Sequence, residues 1–246
     1  CDEDNCAGID WQAGPGGAFT ADMTQIDIDI APGTFGGVVR WDDDGDGTEL
    51  NWRVPNPHIE VNPFENQVLA WDLKPETQVT LSIGTYKTTG KSDTGGFVEF
   101  NTSRSSFDIL PGQMVVVTDG TTTRRLTVTN IAVTGFNQAA DLVFGTAAPG
   151  SQVFVVAKDS VGRGWGDLYR ANTSGVWTAD FSGYEDIAEG TWGWVSQEDA
   201  DGDSTTINWV VLPPAPANDL LESAEELILP LGETIHLNTR SATTST

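Results

Sequence analysis

Asp29-Ile30-Ala31-Pro32-Gly33, Asp108-Ile109-Leu110-Pro111-Gly112 and Asp186-Ile187-Ala188-Glu189-Gly190 are three copies of one pattern, Asp-Ile-x-x-Gly. They recur at a step of about 80 residues, and a fixed period of that size marks tandem small modules, each with its own core. The flanks repeat as well. Phe19-Thr20-Ala21-Asp22 answers Trp177-Thr178-Ala179-Asp180, and Phe35-Gly36 answers Trp192-Gly193. Asp44-Gly45-Asp46 answers Asp201-Gly202-Asp203, and Asn51-Trp52 answers Asn208-Trp209. From Ile30 to Trp52 the offset to the third copy is constant. The middle copy is more distant: Met114-Val115-Val116-Val117 and Leu126-Thr127-Val128 flank a short turn begun by Asp119-Gly120. Arrays of small β modules build, space or adhere more often than they catalyse.

Composition fits that reading. Of 246 residues, 38% are hydrophobic, 27 are Gly, 12 are Pro and nine are Trp, while long apolar helix patterns are missing. Val, Thr and aromatic residues between turn formers are the palette of half-buried strands. The formal net charge is −24. Nucleic acid and anionic lipid are therefore poor partners, because basic residues supply that attraction. The charge favours solubility and cations. No apolar run is long enough to span a membrane, so no membrane insertion is expected. Cys1 and Cys6 are the two cysteines. Their spacing permits a small disulfide loop, and an N-terminal Cys is also the lipid-bearing residue of processed lipoproteins.

The expected organisation is the latter part of module A at 1–55, module B at 59–130 and module C at 131–213. A proline linker and the start of a further domain, or an exchanged strand, fill 214–246. Gln25–Ile30 alternates with period two and reads as a strand. Val38–Trp41 and Leu50–Val54 read as a strand pair around an acidic loop. Val68–Trp71, Gln78–Ile83 and Phe97–Phe100 read as strands, and Lys87–Gly96 as a polar loop. Asn218-Asp219 is placed to cap a short helix through Leu227, and Thr234–Leu237 reads as a strand. Strands of a few residues with regular turns point to antiparallel sandwiches.

Ala147-Ala148-Pro149-Gly150-Ser151-Gln152-Val153, Gly175-Val176-Trp177-Thr178-Ala179-Asp180 and Asp199-Ala200-Asp201-Gly202-Asp203 carry a resemblance. In that order they resemble the tandem bacterial immunoglobulin-like repeats of large secreted surface proteins, over roughly residues 16–213 on the repeat logic. The resemblance implies an all-β fold of tandem antiparallel Ig-like β-sandwich modules in a linear array, at the cell surface or outside it. Module B departs from it by lacking the acidic loop. Asn218-Asp219 through Ala224 and Pro230 resembles the first strand region of a jelly-roll-like domain.

The acidic loops are the candidate metal sites. Asp42, Asp44 and Asp46 stand at alternate positions, and a backbone carbonyl near Thr48 can join them. Calcium wants six to eight oxygens, and a tight Asp-x-Asp-x-Asp loop converges three. Arg53 stands where a helical EF-hand places its bidentate Glu, so a strand-borne loop is the better reading. The second copy offers Asp199, Asp201, Asp203 and Thr205, with Ser204 in place of Gly47. The plain alternative is a solvated acidic hairpin; against it stands the mutual repulsion of clustered carboxylates.

Other signals are weaker. Most tryptophans read as packing anchors. Trp165, in Gly162-Arg163-Gly164-Trp165-Gly166, reads as a loop residue available for contacts. His58, read as a linker residue, and His236, read in the terminal strand, have no neighbouring nucleophile pattern, so no catalytic residue is assigned. The expectation is a non-catalytic structural or adhesive segment, rigidified by calcium, whose partners are other copies of itself or neighbouring modules and surface glycans. The alternatives are carbohydrate-binding accessory modules of a secreted hydrolase, or a head-to-tail filament subunit joined by strand complementation.

Overall fold

A computed structural model describes residues 7–26 and 28–213. Cys1, Cys6, the 218–227 helix, His236 and the 234–237 strand lie outside the described residues. The chain divides into two units. The first holds residues up to Val61, Glu65–Val128 and the turn Asp199–Asp203. The second holds Asn62–Phe64, Thr129–Glu198 and the described residues from Ser204 to 213.

The architecture is all-β and antiparallel. In the first unit the strands are β1 (Phe35–Trp41), β2 (Gly47–Arg53), β3 (His58–Asn62), β4 (Gln67–Trp71), β5 (Gln78–Ile83), β6 (Tyr86–Lys91), β7 (Val98–Asn101), β8 (Met114–Thr118) and β9 (Thr123–Thr127). Strands β3-β4-β7 lie side by side, and β6-β5-β8-β9 form a second sheet. Period-two alternation explains the sandwich: Val79, Leu81 and Ile83 of β5 face Ile59 and Val61 of β3 and Val68 and Ala70 of β4 in one buried core. Each such side chain, fully buried, contributes about 1.5–3 kcal/mol.

In the second unit the strands are β10 (Ala132–Asn137), β11 (Leu142–Thr146), β12 (Gln152–Lys158), β13 (Gly164–Arg170), β14 (Val176–Asp180), β15 (Trp192–Glu198) and β16 (Ser204–Val210). Their order is β10-β11-β14 in one sheet and β13-β12-β15-β16 in the other. This repeats the first unit strand for strand, as β3-β4-β7 and β6-β5-β8-β9. Both are seven-stranded immunoglobulin-like sandwiches with the fourth strand on the second sheet. The hairpin β1-β2 corresponds to β15-β16, with Phe35 opposite Arg53 as Trp192 is opposite Val210.

The opening motif is a turn on the crossing between the two sheets. Gly33, Gly112 and Gly190 have φ of +92°, +85° and +87°. In each copy the residue after the glycine donates its N–H three residues back: Thr34 to Ala31, Gln113 to Leu110 and Thr191 to Ala188, at 3.0, 3.2 and 3.0 Å. Pro32 and Pro111 preset the preceding position. The glycine N–H then donates to the residue that follows the last strand of its hairpin, Val54, Val128 or Val211, at 3.0, 2.8 and 2.9 Å. The motif's Ile plugs the core where a core exists: Ile109 and Ile187 are 2% and 0% exposed, whereas Ile30 is 53% exposed.

A second recurrent device is a tryptophan laid over a cross-strand glycine. Trp209 lies over Gly193, where an added Cβ would stand 1.8 Å from the Val156 carbonyl oxygen and 2.8 Å from the indole. Trp177 covers Gly145, and Trp52 covers Gly36. This explains why Phe35-Gly36 and Asn51-Trp52 recur together as Trp192-Gly193 and Asn208-Trp209.

Four expectations are corrected. Met23–Ile26 is a short 3-10 helix and residues 28–30 pair with no strand, so the strand expected over Gln25–Ile30 is not formed. Asp22 begins that turn, its carboxylate accepting from the Thr24 N–H and hydroxyl. Lys87–Lys91 belongs to β6, since its alternating residues pair with β5. His58 opens β3 and stacks on Trp71, with ring centroids 4.9 Å apart. Trp165 lies in β13 opposite Ala157 rather than in a loop.

Candidate metal centre and aromatic groove

Among the described residues, five turns share one geometry: Asp42–Asp46, Asp93–Phe97, Asp159–Arg163, Asn172–Val176 and Asp199–Asp203. In each, the first N–H donates to the fifth carbonyl, and the fourth residue's N–H donates to the first carbonyl. The first side chain's Oδ1 accepts from the fifth N–H at 2.9–3.1 Å. The fourth residue is always glycine, with φ between +78° and +94°. Sequence reading missed this shared Asx turn, although Asp/Asn-x-x-Gly was its visible signal. The comparison separates roles. A side-chain oxygen at the first position, carboxylate or the Asn172 carboxamide, builds the turn; carboxylates at the third and fifth positions are surplus to the turn itself.

Two of the five turns carry that surplus. Carboxylate oxygens of Asp42, Asp44 and Asp46 lie within 4.8 Å of one another, as do those of Asp199, Asp201 and Asp203. Thr48 and Thr205 stand beyond the turn, in β2 and β16, opposite Arg40 and Gln197. Thr205 is fully buried, and its hydroxyl accepts from the Thr129 N–H at 3.0 Å. Gly47 is explained by Trp41, whose ring would stand 2.8 Å from an added Cβ. The turn therefore tolerates Ser204 at that place.

The two turns differ in their surroundings. Around Asp42–Asp46 all three carboxylates are exposed, and no basic side chain pairs with them among the described residues. A hydrogen bond shared with Asp44, joined by backbone N–H donors, holds the Asp42 carboxyl below its usual range. Asp203, by contrast, is fully buried. Its Oδ1 accepts from the Ile59 N–H at 2.8 Å, and Arg124 Nε donates to its Oδ1 and Oδ2 at 3.1 and 3.2 Å. Arg124 Nη2 also reaches the Asp201 carbonyl at 2.5 Å and the Asp201 carboxylate at 3.1 Å. Burial pushes the Asp203 carboxyl up, against the pull of Ile59 and Arg124. Partial burial and a hydrogen bond shared with Asp201 push Asp199 up to about 6, while the same hydrogen bond, with Arg124, pulls Asp201 down. The second turn thus already holds a cation, the guanidinium of Arg124.

The middle hairpin solves the turn differently. Burial works against ionising Asp119, but N–H donors from Thr122, Lys74 and Thr121 outweigh it and hold the carboxyl below its usual range. Those bonds are 2.6, 2.8 and 2.7 Å long.

Trp165 lines an open groove of about 440 Å³ in the second unit with Asp159, Arg163, Gly164, Tyr184, Glu185 and Asp186. The Trp165 and Tyr184 rings stack 4.9 Å apart at 11° and are 46% and 64% exposed. Arg163 is bound to Asp159, Nε to Oδ2 at 2.9 Å and Nη2 to Oδ2 at 2.8 Å. Trp192 Nε1 donates to the Asp159 carbonyl at 3.1 Å. Partial burial, then the Asp159 charge, raise the Glu185 carboxyl.

No family model matches the sequence, and a search of curated proteins returned no match. Among solved structures, the chain is similar to a tetra-tandem repeat in the extending region of a large adhesion protein, at 14% identity and TM-score 0.26, over 71% of this chain and 55% of that one. It is similar to a structure concerned with host cell surface retention of a bacterial ice-binding adhesin, at 18% identity and TM-score 0.22, over 72% and 73%. It is also similar to the BSP domain of a biofilm associated protein, at 12% identity and TM-score 0.24, over 66% and 30%. The chain spans about half the length of the first of these. Similarities at such scores carry no argument about function.

Proposed function

We propose that this chain is a non-catalytic structural or adhesive segment of a secreted or cell-surface protein, built from repeated Ig-like sandwiches and stiffened by calcium at Asp42, Asp44 and Asp46. The observation that supports the structural role is repetition: one strand order occurs twice, and its closing hairpin a third time. Among the described residues no helix is long and apolar enough to cross a membrane. Calcium is supported by the first acidic turn, whose third and fifth carboxylates are not needed for the turn geometry and have no basic side chain paired with them among the described residues. A calcium ion would take these oxygens and complete its shell with water and backbone carbonyls.

Terbium tests the site, because Trp41 immediately precedes Asp42 and can sensitise its luminescence. Terbium emission should appear on titration, fall on adding calcium, and vanish in Asp44→Asn/Asp46→Asn. A thermal melt with calcium against EGTA should show stabilisation of about 2.7 kcal/mol at a hundredfold excess over Kd. No emission and no shift at millimolar calcium would sink the assignment.

A second reading, head-to-tail association, is favoured by the apolar exposure of β1-β2. Leu50 is 71% exposed, while its equivalent Ile207 is partly buried. A strand from another copy would cover it. Sedimentation showing a concentration-independent monomer argues against this.

A further inference from the structure

The Trp165–Tyr184 groove has a chemistry that neither spacing modules nor calcium requires. Two aromatic rings lie stacked and exposed, and Asp159 is paired with Arg163. Glu185 and Asp186 have no ion-pair partner among the described residues. The neighbouring turn Asp159–Arg163 has the shared geometry, so Arg163 at its fifth position and Trp165 two residues later are not demanded by the backbone. Both flank the same opening.

We propose that this groove binds amino-sugar units of a cationic polysaccharide, with a pyranose ring packed on the exposed outer side of the Trp165–Tyr184 stack and its ammonium group facing Glu185 and Asp186. The two rings cover each other on one side, and the outer face of the stack is a flat apolar surface that suits a ring-shaped ligand. A cage for an alkylammonium side chain instead surrounds the charge with ring faces. A volume of about 440 Å³ falls within the range of small-molecule clefts and holds a sugar ring with part of its neighbour. The two unpaired carboxylates, on a chain of net charge −24, favour a cationic sugar and repel uronic or sialic acids. Hydroxyl groups of the sugar can donate to the same carboxylates. This inference goes beyond the structural role and does not depend on calcium.

The test is titration of the full chain with a fully deacetylated glucosamine pentasaccharide at mildly acidic pH and physiological salt. Tryptophan emission and calorimetry are the readouts. Saturable binding is expected. Trp165→Ala and Glu185→Gln/Asp186→Asn should each weaken it by about tenfold or more, which is about 1.4 kcal/mol. Circular dichroism and the Tm of these surface variants should stay unchanged. Glu76→Gln, an exposed carboxylate in the first unit, should leave the affinity unchanged. The N-acetylated pentasaccharide should bind about tenfold more weakly. The proposal is overturned by absence of saturable binding, by equal binding in Trp165→Ala, or by an equal loss in Glu76→Gln. A lysine pentapeptide that binds as tightly as the sugar also overturns it.

Discussion

Asp203 is fully buried, and Arg124 is the cation that faces it. Removing one partner of a buried pair strands the other charge, so Arg124→Ala should destabilise the protein by about 3 kcal/mol in urea unfolding. Adding Asp203→Asn should recover part of the loss, because the buried charge goes with its partner. The same variant frees Asp201 and Asp203, so terbium and calcium should act on the second turn in Arg124→Ala and not in the parent. Asp119 contributes to the acid behaviour. Its folded pKa is depressed below the reference of 3.8, so its stabilisation is present above that value and is lost as pH falls through the folded pKa. Asp119→Ala strands three N–H groups; it should cost about 2 kcal/mol or more at neutral pH, and the low-pH limb of the stability profile should flatten.

Among the elements, the hairpins were the most legible from sequence. Alternating apolar residues around Asp119-Gly120 and around the acidic loops placed β8-β9, β1-β2 and β15-β16. Two kinds of element were hidden. The β6 strand is polar on its outward face, with Lys87, Thr89 and Lys91, and Gly90 inward, so periodicity gave no signal. Around Trp165, glycines read as loop formers, yet Gly166 is a strand residue kept small by Phe154 and Val156. The acidic loops were legible as charge, but the Arg124 partner was not, being 79 residues from Asp203 in sequence. The glycine-for-tryptophan gaps yield a prediction at this scale. Gly193→Ala meets the Val156 backbone as well as Trp209, whereas Gly36→Ala meets only the Trp52 side chain. Gly193→Ala should cost about 3 kcal/mol or more and Gly36→Ala clearly less, read by chemical denaturation.

For the whole molecule, repetition is the organising fact. Each sandwich has its own core, so a core truncation such as Leu81→Ala should lower the stability of the first unit by about 3 kcal/mol. Hydrogen exchange should then show faster exchange across β3–β9, with Val153 and Val155 of the second unit unchanged. The five-residue turn carries the consequence furthest. Its backbone is indifferent to what stands at the third and fifth positions, as Gly95 and Phe97, Val161 and Arg163, and the aspartate pairs demonstrate. The same three carboxylates stand exposed and without a basic partner on one turn, and on the other they meet an arginine and a backbone N–H. Such a hairpin tip is a socket: its side chains can be exchanged for a new counter-charge while the strands that carry it stay as they are.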